Sequence, residues 1–240
     1  MATVTGPREP SRRDAGLTLI EMVVALALSS MLIILLGSVT MTTMRSARFA
    51  MTKSQGTAEA RSTMERMSRM LRLAVVPTQL TSAFTWASPD AVRFYAAVKT
   101  DTTASDPLPT YVEYYWDSTT KCLTEAITPA RVITPTPGSG SPYAWDTGRT
   151  TRCLVKLASD PTGSTRLLTY YGTPLLNTDG TSPTALSAPD TGMTASDQAL
   201  VQSVEITLSI THPGTADIPP VVSSNKVTLD NLVLTSGGRA

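Results

Sequence analysis

The alternation of apolar and polar positions changes character twice along the 240 residues. From Leu17 to Val39 apolar residues follow one another almost without interruption, and Glu21 is the one charged residue among them. As a helix this run reaches about 34 Å, enough to span the hydrocarbon core of a bilayer. No Pro then occurs until Pro77. Met64, Met67, Leu71 and Ala74 keep an i, i+3, i+4 rhythm, and Arg61–Glu65 and Glu65–Arg69 are i, i+4 pairs on another side. The pattern predicts one helix over about 18–76, close to 90 Å long, with Gly37 and Gly56 as its weak points. Its first half is apolar nearly all round. Its second half is amphipathic and needs a surface to pack on.

After Pro77 the rhythm shortens. Strands are predicted over 91–98, 110–116, 121–127, 151–158, 165–171, 201–211 and 226–235. Val204, Ile206, Leu208 and Ile210 alternate strictly, the signature of a half-buried strand. Turn-rich stretches separate these runs, and long loops are expected at 134–142 and 177–197. The predicted fold class is α+β: a long N-terminal helix packed on a C-terminal antiparallel β-rich head. The expected divisions are 1–16, 17–40, 41–76 and 77–240. The Met residues of the helix are read as gap fillers in the core.

Composition and charge sharpen this outline. The abundance of Thr, with 17 Pro and 14 Gly, suits short strands and loops. The overall charge of +1 conceals an asymmetry: residues 41–76 carry seven Lys/Arg and two Glu, whereas 77–240 carry ten Lys/Arg and fourteen Asp/Glu. The acidic head is no platform for nucleic acid. The basic stretch lies beside the apolar run, where anionic lipid or a solvated face accounts for it. Cys122 and Cys153, the two cysteines, form no CxxC or Cys/His cluster, so no metal site is expected. Both fall in predicted strands, and outside the cytoplasm one disulfide is the natural reading.

Glu21 is the anomaly. A carboxylate near hydrocarbon is costly unless neutralised or paired. A cleaved secretory signal has a shorter apolar region and a small-x-small site, and "LLGSVTM" is a poor one. A plain signal anchor explains the length but not the Glu. The stretch "GLTLIEMVVALALSS" resembles the cleavage and methylation segment of type IV prepilins and pseudopilins. The resemblance implies a basic leader, residues 1–16, ending at Gly16. It implies cutting by a prepilin peptidase between Gly16 and Leu17 on the cytoplasmic side, and N-methylation of Leu17, where the family usually has Phe. It further implies that Glu21, the fifth mature residue, attracts the N-terminal amine of a neighbouring subunit. A carboxylate and an ammonium attract strongly at low dielectric, and each is costly alone. The alternative is a Glu tolerated at the helix start, where the macrodipole favours it.

The basic residues flanking the apolar run are balanced: Arg8, Arg12 and Arg13 on one side, Arg45, Arg48 and Lys53 on the other. The resemblance and the disulfide reading put the leader inside and the head outside a cytoplasmic membrane crossed once. The segments "ARSTMERMSRMLRLAVVP", "SPDAVRFYAA" and "VTLDNLVL" resemble in style the minor pilins and minor pseudopilins, of the J-type secretion or W-type pilus kind. Major pilins are usually shorter. The chain is therefore expected to be a minor subunit of a type IV pilus or type II secretion pseudopilus. Its expected partners are the prepilin peptidase/methyltransferase, other pilin or pseudopilin subunits and the inner membrane. The alternative is a permanently signal-anchored extracytoplasmic binding domain.

Signals of catalysis are weak. "DTG" occurs at Asp146–Gly148 and Asp190–Gly192, as in the paired loops of aspartic proteases, but neither copy follows an apolar strand, and both read as turns. His212 is the only histidine, and nothing marks a nucleophile beside it. No phosphate-binding loop, dinucleotide fingerprint or HExxH is present. Asp179, Asp190 and Asp197 lack EF-hand spacing. Tyr111, Tyr114, Tyr115 and Trp116 are expected to pack in the core and on the sheet surface. No enzyme activity and no cofactor are expected.

Overall fold

The computed structural model describes residues 18–78, 80–98, 108–134, 142–157, 161, 166–172, 185–210 and 219–232. The chain divides into two compact units, Met1–Ala50 and Met51–Ala240. Helix α1 is Leu19–Arg72, a single element through Gly37 and Gly56. It ends four residues earlier than the pattern suggests. The chain instead pairs its backbone with the strand Ala91–Ala97: Val75 N donates to Tyr95 O, and Ala97 N donates to Leu73 O. The fully buried Ala74, small enough to admit this approach, faces Ala96 across the bridge.

In the second unit, β1 (Phe84–Ala87), β2 (Ala91–Ala97), β3 (Pro109–Asp117), β4 (Cys122–Thr128) and β7 (Thr150–Lys156) form an antiparallel sheet in the order β1-β2-β3-β4-β7. β8 (Leu168–Tyr171), β9 (Ser203–Ile210) and β10 (Val221–Thr228) form a second one, ordered β10-β9-β8, and β5 (Arg131–Val132) pairs with β6 (Tyr143–Ala144). A bridge between Leu157 and Ile210 joins the two larger sheets. Met67 and Leu71 of α1 pack in one core with Phe94, Val112, Tyr114 and Leu123 of the large sheet and Ile206 and Leu208 of the small one. The arrangement is the α+β class that the patterning predicts.

The departures have local causes. The last strand is Val221–Thr228, not 226–235. "VVSSNKVT" is only weakly apolar, yet it pairs with β9 along its whole length. The more apolar stretch that follows instead buries Leu229 and sets Leu232 against the core after a helical turn over 230–232. β1 was too short to read from pattern. Of the loop expected at 177–197, residues 177–184 lie outside the described residues, as do 135–141 of the loop at 134–142. The remainder leads into α2 (Ala195–Leu200), which Thr194 caps.

Polar groups lock the head as firmly as its apolar ones. Glu125 on β4 has a side chain only 1% exposed. It accepts from Arg66 of α1 (Nε 2.8 Å, Nη2 2.7 Å), from Arg152 of β7 (Nε 2.7 Å) and from the Tyr114 hydroxyl of β3 (2.8 Å). Burial pushes the Tyr114 phenol well above its ordinary pKa, and the Glu125 charge adds to this, so Tyr114 stays a donor. Glu113 takes both Arg93 and Arg149. Tyr95 packs against Tyr111 and Trp145, with ring centroids 5.3 and 4.5 Å apart. The aromatics of β3 thus serve packing. Cys122 on β4 and Cys153 on β7 are joined as a disulfide, Cα atoms 5.7 Å apart and 31 residues apart in sequence. A loop of that size is worth about 3 kcal/mol to the folded head.

Two predictions follow from these polar contacts. Removing a buried acceptor of three donors strands them, so Glu125→Ala should cost about 3 kcal/mol. Arg61→Ala, which breaks only the exposed pair with Glu65, should cost under about 0.5 kcal/mol. Urea unfolding followed by near-UV circular dichroism compares them. Glu205 accepts from Tyr171 at 2.6 Å and Ser224 at 2.9 Å, and the Tyr171 bond chiefly holds its carboxyl below the ordinary 4.5. Its folded pKa is depressed, so its contribution is present above about pH 4.5 and is lost as pH falls through the folded value. Glu205→Gln should flatten the acid limb of stability against pH in that window, by less than about 1 kcal/mol because the group is only partly buried and solvent screens it.

Candidate assembly site

Two features of the N-terminal half of α1 bear on the surroundings it suits. The first is uncovered apolar surface: Leu19 is 83% exposed and Ile34 71%, and every residue from Leu19 to Met51 is exposed. Full burial of one such side chain is worth about 1.5–3 kcal/mol, so a row of them left in water is heavily unfavourable. α1 is the one helix among the described residues with the length and composition to cross a membrane. The second feature is the handling of its hydroxyls. Ser30 and Ser38 donate to carbonyls three residues back, both at 2.8 Å. Thr40 and Thr42 donate four residues back, at 2.8 and 2.9 Å. Side-chain donors satisfied on their own helix carry little penalty into hydrocarbon.

Glu21 sits in the first turn. Its Oε2 accepts from the backbone N–H of Thr18 at 3.0 Å and from the Thr18 hydroxyl at 2.9 Å, while Glu21 N donates back to Thr18 Oγ1 at 3.3 Å. This reciprocal pairing is a capping box, which satisfies two donors at the helix start that would otherwise lack partners. The sequence reading assigned no role to Thr18, although the T-x-x-E spacing signals it. The same spacing recurs at α2, where the Thr194 hydroxyl donates to Asp197 at 2.7 Å and Asp197 N donates to Thr194 at 3.3 Å. Beside Glu21, a shallow depression of about 290 Å³ is lined by Ile20, Val24, Ala25 and Leu28.

The remaining candidate residues do not gather into a reaction centre. Gly16, Leu17, Asp179 and His212 lie outside the described residues. Asp146 is exposed and ion-paired to Arg131 at 2.9 Å, which holds its carboxyl below the usual range. Gly148 has φ +73° and Gly192 φ +89°, so both DTG triplets end in left-handed turns. At Gly192 an added Cβ would also stand 3.0 Å from the Trp86 ring, so glycine is required there on two counts. Asp197 is engaged in capping α2.

No curated protein matches the chain. The family model of the prokaryotic N-terminal methylation motif matches residues 11–37, the span that holds Gly16, Leu17, Glu21 and most of the apolar run. The match covers this N-terminal segment alone, and through it the chain is similar to the type IV pilins and pseudopilins.

Proposed function

We propose that the chain is a minor structural subunit of a type IV pilus or a type II secretion pseudopilus. On this reading the peptidase cuts between Gly16 and Leu17, Leu17 is N-methylated, and the leader end faces the cytoplasm with the head outside. The observation that carries the reading is the start of α1: a carboxylate held by Thr18 at the head of an apolar helix that the described residues leave uncovered. Lipid can cover such a helix, but lipid offers Glu21 no counter-charge. The newly cut amine of another subunit offers one. Glu21 beside the shallow depression places the charge next to an apolar surface that a second helix can cover. A permanently anchored binding domain needs the apolar run and can use the cap, but it has no use for the charge of Glu21.

The capping box separates the local role of Glu21 from its assembly role. Gln at the third helical position also closes a capping box, so Glu21→Gln keeps the helix start and removes only the charge. Thr18→Ala removes the cap, at about 1 kcal/mol, and keeps the charge. Both variants should reach the membrane. Glu21→Gln should enter sheared or purified filaments at least about tenfold less than wild type, because the neighbour's ammonium loses its partner at low dielectric. Thr18→Ala should enter nearly as well as wild type. Equal incorporation of Glu21→Gln and wild type would sink the pairing role.

A further inference from the structure

Between the second half of α1 and the free edge of β10 runs a groove of about 930 Å³, floored by Met64, Leu73 and Val221. Nothing so far described uses it. Three properties mark it as a docking site for a polypeptide strand. β10 is the end strand of its sheet, and among the described residues its backbone pairs with β9 alone. The edge is also unguarded. Natural edge strands carry bulges, prolines or outward lysines that block pairing with another chain. β10 pairs with β9 without a register shift and contains no proline, and its one lysine, Lys226, folds back over the Tyr171 ring at 3.6 Å. Val222 stands 65% exposed beside the groove.

The third property is charge. Lys53, Arg61, Arg69 and Arg72 line the groove, against Glu65 alone, and Glu65 is already bound to Arg61 at 3.2 Å. The helix is held beside the edge by Asn225, whose Nδ2 donates to Ser68 Oγ at 2.9 Å. The groove is thus preformed, apolar at its floor and cationic at its rim, with unpaired backbone along one wall. We infer that it takes an extended, acidic polypeptide segment as an added strand on β10, with its carboxylates on Arg69 and Arg72. Backbone bonds supply the affinity, and the charges select the sequence. That a neighbouring filament subunit supplies the segment rests on the function proposed above; the groove's chemistry does not.

The test uses the detergent-solubilised full chain and a fluorescein-labelled ten-residue peptide of alternating Val and Glu. Fluorescence anisotropy should show binding. A Val-Lys peptide, and a Val-Glu peptide with alternate amides N-methylated, should each bind at least about tenfold more weakly. The exposed double variant Arg69→Glu/Arg72→Glu and the edge-guarding variant Val222→Lys should weaken the parent peptide similarly. Hydrogen exchange at β10 should slow when the parent peptide is present. No binding at millimolar peptide, or equal affinity for the three peptides, overturns the proposal and leaves the Glu21 reading untouched. In cells, a photo-crosslinking side chain at position 222 should capture a pilin-like subunit. Crosslinks to lipid alone, with peptide binding intact, would remove the neighbouring subunit as the source of the strand.

Discussion

Among the described residues nothing covers the apolar half of α1, and the rest of the molecule's behaviour turns on that constraint. A folded domain normally supplies the surface on which each apolar stripe is buried. Here the described residues supply one only from Gly56 onward, where Ala60, Met64, Met67 and Leu71 enter the core. The preceding residues must be covered by lipid or by other helices. Both environments demand that every polar group be satisfied locally. The hydroxyls of Ser30, Ser38, Thr40 and Thr42 meet that demand on the helix's own carbonyls. Glu21 meets it only in part. The Thr18 box satisfies hydrogen bonds, but it does not neutralise charge.

The head obeys the opposite logic. Its buried carboxylate, Glu125, is compensated within the chain by two arginines and a tyrosine drawn from α1, β7 and β3. The arginine heads remain partly wet, Arg66 at 38% and Arg152 at 49%, which lowers the desolvation cost that makes fully buried pairs weak. The network ties the helix to three strands of the sheet, β3, β4 and β7, through one residue. The Cys122–Cys153 bridge adds a covalent link between β4 and β7, the same strands that carry Glu125 and Arg152. The chain thus handles two carboxylates differently, Glu125 in its head and Glu21 at the start of its apolar helix. The first has all its cationic partners at hand, and the second is proposed to find its partner in another molecule.

Much of this was legible in the sequence because period and charge report burial directly. The 3.6-residue stripe at Met64, Met67 and Leu71 and the strict alternation at Val204–Ile210 are both realised in the core. The methylation motif was legible too, because a lone Glu in an apolar run is unusual, and the family match falls on the same segment, residues 11–37. What escaped was information that only tertiary pairing creates. "VVSSNKVT" is polar by composition and becomes a strand because β9 lies beside it. α1 stops at Arg72 because β2 offers backbone partners to Leu73 and Val75, not because the helical pattern fades. Thr18 escaped for another reason: attention to the charge of Glu21 hid the ordinary capping spacing that contains it.

The central claim is that a peptidase cuts between Gly16 and Leu17 before α1 serves in assembly. The most direct measurement is the mass of the N-terminal peptide from protein extracted from membranes of a host that has the peptidase. The account predicts a chain beginning at Leu17 and carrying one added methyl group, about 14 Da. A chain that retains residues 1–16 in such a host would contradict it and would leave the apolar run as a permanent anchor.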